Sequence, residues 1–214
     1  MFYVKWVFWG MFWLLIAAFF HYTLPQHDIV RIVNTYEERQ DLGDWTRIFW
    51  SVPDDQTESL VNRDVQFIQA VRPNGDTEVY RNEDTGWRWP PYFKFDTANL
   101  YTEANDAKST RDNPRWVSVT HYGWRNQYWS IFPNAVAIKP VAGPDVTIIP
   151  WVSIVVLVIF FAFVWAIWVR WRRFRRARID PVLEDMGDSF EAAGDRMAER
   201  RGRFRRWLDS WKAK

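Results

Sequence analysis

The feature that most constrains this 214-residue chain is a run of 22 uncharged residues, 148–169. The run is rich in Val, Ile, Phe and Trp, and only Pro150 and Ser153 interrupt it. At ~1.5 Å per residue, a helix of this length crosses the ~30 Å hydrocarbon core of a bilayer. Pro150 falls in the first turn, where a missing N–H costs little. The sequence therefore predicts a transmembrane helix at residues 147–171.

Six arginines next to this run predict its orientation. An excess of Lys and Arg beside a spanning helix marks the cytoplasmic side. We interpret the cluster as this topology signal and not as a nucleic-acid-binding surface. Its members are Arg170, Arg172, Arg173, Arg175, Arg176 and Arg178.

The N-terminal segment is a shorter apolar stretch. Residues 6–20 carry no charge, and residues 1–4 extend the stretch to about 20 residues if Lys5 reaches the headgroups. A cleaved signal peptide is the competing interpretation, but it requires small residues before the cut. Bulky residues follow Ala17-Ala18, so we favour an uncleaved anchor at residues 1–22. Both interpretations place the middle of the chain outside the cytoplasm.

The charge distribution agrees with this topology. Residues 21–147 contain 13 Lys/Arg and 18 Asp/Glu, whereas residues 170–214 contain 14 Lys/Arg and 8 Asp/Glu. The slight positive net charge of +2 is thus a property of the tail. The chain has no cysteine, which excludes disulfides, thiolate catalysis and Cys-ligated metal sites. We expect no cofactor.

The middle domain, residues 23–146, shows strand patterns separated by turn residues. An apolar run at 29–33 opens it, and Pro73-Asn74-Gly75 joins runs at 65–71 and 78–80 into a predicted hairpin. Residues 115–122, 126–132 and 135–139 read as a three-stranded meander.

One helix is predicted between these strands. Asp96-Thr97 supplies capping candidates, and Leu100, Ala104 and Ala107 follow at helical spacing before Asn113-Pro114. With six or seven strands and one helix, the domain is expected to be a small β-rich barrel or sandwich. The fold class is α+β, with two transmembrane helices flanking that domain and an amphipathic helix at the C-terminus.

A dense aromatic segment at residues 87–95 is the strongest candidate binding site. Its two prolines favour extended backbone, which would present Trp87, Trp89, Tyr92 and the adjacent Phe93 as a platform for a glycan, peptide or lipid headgroup. Packing within the core, or docking onto the bilayer surface, explains the same residues.

The three histidines give little support to metal or acid–base chemistry. His21 and His27 lie six residues apart with Pro25 between them, a spacing unsuited to two ligands on one helical face. His121 shares a strand face with Val117 and Val119, which favours a structural histidine. An enzyme would need His121 in a cleft with a carboxylate in reach. We expect neither a metal site nor a catalytic residue.

The tail, residues 172–214, is predicted to be an amphipathic helix that begins at Asp180-Pro181. Acidic residues accompany its first half, which suits a partner protein or self-association, and basic residues accompany its second half, which suits the headgroup layer. Its apolar face consists of Leu183, Met186, Phe190, Met197, Phe204, Trp207 and Trp211.

Three segments of the middle domain carry a family resemblance. Residues 85–96 read TGWRWPPYFKFD, residues 119–125 read VTHYGWR, and residues 130–136 read SIFPNAV. These motifs resemble a family of two-helix inner-membrane proteins from alphaproteobacteria to which no activity is assigned. The resemblance implies a location in the bacterial envelope and supplies no functional residues.

Three functions fit these observations. The first is a non-catalytic inner-membrane scaffold that contacts lipid and other envelope proteins, or a second copy of itself, through its periplasmic domain and cytoplasmic tail. The second is a periplasmic module that binds cell-wall glycan or another ligand through the aromatic platform. The third is a periplasmic enzyme that uses His121.

Overall fold

The computed structural model describes residues 2–41 and 62–212, and its internal contacts divide the chain into two units, Met1–Ile154 and Val155–Lys214. The helices are α1 (Phe2–Thr23), α2 (Thr97–Asp106), α3 (Trp151–Phe174) and α4 (Asp180–Lys212), with a π-helical segment (Arg175–Ile179) between α3 and α4. The strands are β1 (Gln26–Asp41), β2 (Asn62–Val71), β3 (Thr77–Asn82), β4 (Trp116–Tyr122) and β5 (Asn134–Pro140).

Two helices in the described part of the chain are long and apolar enough to cross a membrane. One is Tyr3–Thr23 and the other lies within Trp151–Gly187. No side chain in the apolar window of either helix is buried by the protein. The predicted pair of apolar helices flanking a middle domain is therefore present.

The middle domain is a closed five-stranded barrel with the strand order β1-β2-β3-β5-β4. Neighbouring strands are antiparallel except β3 and β5, which pair in parallel through Arg81 and Asn134. This closure decides between the barrel and sandwich left open by the sequence. The strand order, with α2 inserted between β3 and β4, is the connectivity of the OB-fold, a small Greek-key barrel. A fold of this kind hosts many functions and specifies none.

The barrel is filled by apolar side chains of its strands. Val30, Ile32, Ile68, Tyr80 and Val119 are fully buried in one cluster. The predicted hairpin is confirmed, because β2 and β3 pair antiparallel and Gly75 adopts a positive φ of 91° in the turn between them. β1 is longer than the predicted run, since its second half pairs with β2 after the first half has paired with β4.

The predicted helix between the strands is also confirmed. Asp96 has extended backbone angles, and its side chain accepts hydrogen bonds from Ala98 N and Asn99 N, as an N-cap residue does. Leu100 and Ala104 are buried in the barrel core and Ala107 is partly buried against it. The apolar face of α2 thus joins the core of the barrel.

The prediction of a strand at residues 126–132 is wrong. Residues 127–130 form a turn, and one bridge joins Asn126 to Ile131. The Asn126 side chain accepts hydrogen bonds from Tyr128 N and Trp129 N, which holds the backbone in a turn. β4 therefore pairs directly with β5, and the described part of the domain, residues 23–41 and 62–146, has five strands where six or seven were expected.

The tail helix α4 begins at Asp180 as predicted, but the predicted capping role of Asp180 is wrong. Asp180 has helical backbone angles, and helix runs without interruption from α3 through the π-helical segment into α4. In that segment Asp180 N donates to Arg175 O, one residue beyond the α-helical spacing. The Asp180 carboxylate accepts from Arg175 Nε at 3.1 Å instead of capping a helix.

Candidate functional site

The aromatic segment forms a closed loop at one end of the barrel. Thr85 N and Gly86 N each donate to Lys94 O at 3.0 Å, and Lys94 N donates to Thr85 Oγ1 at 3.1 Å. Lys94 Nζ donates to Ala135 O at 2.8 Å and to the side-chain oxygen of Asn82. The base of the loop is thereby fixed to β3 and β5.

Lys94 is a buried cation that sequence reasoning did not single out. It is 8% exposed, and both acceptors of its ammonium group are neutral. Burial lowers the pKa of Lys94 to about 7, against a smaller opposing effect of the Asp84 charge. The signal in the sequence was a lysine placed between Phe93 and Phe95, because a charged group among apolar side chains requires hydrogen-bond partners.

The loop presents most of its aromatic side chains outward. Trp87 is 77% exposed, Trp89 65%, Phe93 54% and Phe95 55%. We call these four residues the aromatic loop surface. Ring contacts join three of them, since Trp87 lies 5.4 Å from Phe93 and 5.6 Å from Phe95 between ring centroids.

Tyr92, the remaining member of the predicted platform, points the other way. Its ring stacks on Tyr122 at 4.8 Å between centroids, and its hydroxyl donates to Thr23 O at 2.6 Å. It therefore connects the loop to the end of α1. The structure leaves Trp87, Trp89 and Phe93 exposed, brings Trp87 and Phe93 into contact, and turns Tyr92 away from them.

Three segments of the first unit contact the end of α1. Trp89 stacks on Phe19 with 5.6 Å between ring centroids and 13° between planes. Trp124 Nε1 donates to His21 Nδ1 at 3.0 Å, and Ser153 Oγ donates to Pro25 O at 3.1 Å. The end of α1 is thus surrounded by aromatic residues of the barrel loops and by the start of α3.

A second polar cluster surrounds Asp28 in β1. Its Oδ2 atom accepts from Arg72 Nη2 at 2.8 Å and from Tyr80 Oη at 2.7 Å. His121 Nε2 lies 3.0 Å from the same oxygen. Burial alone would raise the pKa of Asp28, but these neighbours outweigh it and lower the pKa to about 2.

This cluster meets only part of what an enzyme requires of His121. A carboxylate is within reach, but His121 is 5% exposed and shares the barrel interior with Val117 and Val119. Asp28 is already engaged by Tyr80 and Arg72, which bind the same oxygen. The arrangement can stabilise the barrel and offers the histidine little access to a substrate.

The other histidines do not join this cluster into a metal site. His21 accepts a hydrogen bond from Trp124. Among residues 2–41 and 62–212 there is no group of three or more His, Cys, Asp or Glu side chains placed to hold a metal ion.

The predicted apolar face of the tail is exposed wherever its side chains are described. Leu183 is 58% exposed, Met186 50%, Met197 67% and Phe204 60%. The side chains of Phe190, Trp207 and Trp211 lie outside the described part of the structure. The six arginines of residues 170–178 are all exposed.

Comparisons with known proteins identify the family of the chain. The model of the family described as "Protein of unknown function (DUF1523)" matches residues 1–175. A Haemophilus influenzae protein described as "Uncharacterized protein" is 35% identical over 134 residues, which cover 62% of this chain and 71% of that protein. No solved structure matches the chain. The alphaproteobacterial source stays a prediction, and the chain belongs to the DUF1523 family of proteins of unknown function.

Proposed function

We propose that this protein is a non-catalytic scaffold of the bacterial inner membrane. Two spanning helices hold the barrel in the periplasm and the α4 tail in the cytoplasm, where each engages other envelope proteins or a second copy of the chain. The observation that carries the proposal is the exposed apolar face of α4, because apolar side chains repeated along a helix outside the lipid mark a surface that binds another protein.

The topology is supported by charge and by one contact. The arginines that follow the uncharged part of α3 favour the cytoplasmic side. The bond from Ser153 to Pro25 joins the start of α3 to the exit of α1, as expected if both spans meet the barrel at one membrane surface. His121 is buried, and the partly buried Asp28 is already engaged by Tyr80 and Arg72, which supports a structural role for the barrel interior.

The natural absence of cysteine allows a direct test of topology. Asp112→Cys and Ser189→Cys each add one exposed thiol, the first before β4 and the second in α4. In intact spheroplasts, a membrane-impermeant maleimide should label the first variant. It should label the second variant only after the spheroplasts are lysed. Labelling of Ser189→Cys in intact cells would contradict the proposed orientation.

The scaffold role is tested by crosslinking the full-length protein in native membranes. Leu183→Glu combined with Met186→Glu places two charges on the apolar face of α4 and should abolish crosslinked complexes. Arg203→Glu changes the net charge by the same amount at an exposed position away from that face, and should preserve them. A monomeric wild-type protein without crosslinked partners, unaffected by removal of residues 180–214, would contradict the scaffold.

A further inference from the structure

We propose that the aromatic loop surface lies in the headgroup layer of the bilayer that α1 crosses, so that the barrel itself rests on the membrane. The proposal depends on the membrane anchoring of the proposed function. It adds a lipid contact made by Trp87, Trp89, Phe93 and Phe95, which are held outside both helices.

The first argument is exposure. Trp87, Phe93 and Phe95, each more than half exposed, form a connected apolar patch on one loop of a small domain, and the exposed Trp89 ring belongs to the same loop. Single exposed apolar residues are ordinary, but a connected patch of this kind marks an interaction site. Indole and phenyl rings at the end of a spanning helix are characteristic of the membrane interface, where Trp is enriched.

The second argument is that the loop is built to hold these rings outward. Hydrogen bonds between Thr85 and Lys94 close its base, and buried Lys94 fixes it to β5 through Ala135 O. Phe93 has a positive φ of 52°, a backbone conformation that is unfavourable for any residue with a Cβ. The backbone is thus strained at Phe93, and the ring of this residue is nevertheless more than half exposed.

The third argument is depth. Trp89 stacks on Phe19, which lies four residues before the end of α1 at Thr23. Four residues correspond to about 6 Å of helix rise, so the Trp89 ring lies about one turn before the end of α1, on the side of the membrane-spanning part of the helix. If α1 leaves the hydrocarbon near its end, this ring is at the level of the headgroups. Position therefore favours lipid over a glycan or a protein as the occupant.

The experiment measures depth at single labelled cysteines in the full-length protein, reconstituted in liposomes of phosphatidylethanolamine and phosphatidylglycerol. Nitroxide labels are placed by Trp87→Cys and Phe95→Cys in the aromatic loop surface. Asp112→Cys is the matched water-side control. Residue 112 comes shortly before Trp116, which pairs with Arg31 of β1. Arg31 is five residues along β1 from Gln26, the first residue of the strand that follows α1, and five residues of strand span about 17 Å. Leu14→Cys, an exposed position within α1, reports the span.

Collisions with oxygen, which concentrates in lipid, are compared with collisions with a water-soluble nickel chelate. We expect the oxygen-to-nickel ratio at positions 87 and 95 to be several times that at 112 and below that at 14. If the oxygen-to-nickel ratios at positions 87 and 95 equal that at position 112, while nickel does not reach the label at position 14, the docking proposal is overturned and the anchoring is intact. Nickel access at 14 overturns the anchoring.

A glycan partner gives a different result. Soluble peptidoglycan fragments are added to the liposomes while the mobility of the label at position 95 is recorded. If the fragments immobilise a label that stays accessible to nickel, the surface binds glycan and the lipid proposal is overturned. We expect no change of mobility on adding the fragments, because the label is already in the headgroup layer.

Discussion

The Tyr80 hydroxyl donates a hydrogen bond of 2.7 Å to Asp28 Oδ2, and so joins a fully buried ring of the barrel core to a carboxylate near its edge. Arg72 and His121 approach the same oxygen. One carboxylate thus links β1 to β3, to β4 and to the residue that follows β2. This cluster is what the barrel builds around its buried histidine.

Removing the Tyr80 hydroxyl should weaken the barrel. Tyr80→Phe keeps the ring and deletes one donor to a partly buried carboxylate, which we expect to cost about 1–3 kcal/mol in the free energy of unfolding. Urea unfolding of the full-length protein in detergent, followed by near-ultraviolet circular dichroism, measures the change. Tyr128→Phe is the control, because Tyr128 is 97% exposed and its loss of a hydroxyl should leave stability unchanged.

The Asp28 carboxylate should make the barrel sensitive to acid. Its pKa in the folded protein, about 2, is below the ordinary value of 3.8, so ionised Asp28 stabilises the folded state above pH 4. That contribution, on the order of 2 kcal/mol, should be lost as the pH falls from 4 through 2. Unfolding free energies measured over this range should show a smaller decline in Asp28→Asn.

Asp106→Asn provides the comparison for this experiment. Asp106 is exposed, at the end of α2, and its substitution should leave the decline between pH 4 and pH 2 as large as in the wild type. An equal decline in Asp28→Asn and Asp106→Asn would show that Asp28 does not carry the acid sensitivity.

Lys94 should make stability rise with pH on the alkaline side as well. The folded protein lowers its pKa to about 7 from 10.5, so between these values the unfolded chain binds more protons than the folded one. Stability should therefore rise as the pH increases from 7 towards 10, by up to about 1.4 kcal/mol per pH unit. Lys94→Met should remove this rise when unfolding is followed by urea titration at several pH values.

Lys139→Met is the matched substitution for Lys94, because Lys139 is an exposed residue of β5. It should keep the alkaline rise of the wild-type protein. A flat profile in the wild type, or a rise that persists in Lys94→Met, would mean that the lysine at the base of the loop is not held neutral by burial.

The sequence predicted features that depend on neighbouring residues and missed those that depend on distant ones. The capping of α2 by Asp96 and the turn at Gly75 are local, and both are present. The pairing of β3 with β5 joins residues more than 50 positions apart, and no periodicity reports it. Because that pairing decides how the barrel closes, the sequence could not separate a barrel from a sandwich.

The candidate site shows the same division. The aromatic motif was visible as composition, and three of its four predicted members are exposed. The inward turn of Tyr92 depends on Tyr122 and Thr23, which lie far away in the sequence. The strand wrongly expected at 126–132 has suitable β-forming residues, but the Asn126 side chain binds the backbone of the turn locally and overrides that propensity.

The last prediction concerns Gly123, where the chain leaves β4 close to the end of α1. Its φ is +96°, its N–H donates to Tyr22 O, and a Cβ built there would lie 3.7 Å from the Tyr22 ring. Gly123→Ala should therefore cost about 1–2 kcal/mol through backbone strain. Gly143→Ala is the control, because Gly143 has open space and no positive φ in the left-handed region. Urea unfolding should separate the two variants, and equal stabilities would show that residue 123 can relax to an ordinary backbone conformation without disturbing the contact with α1.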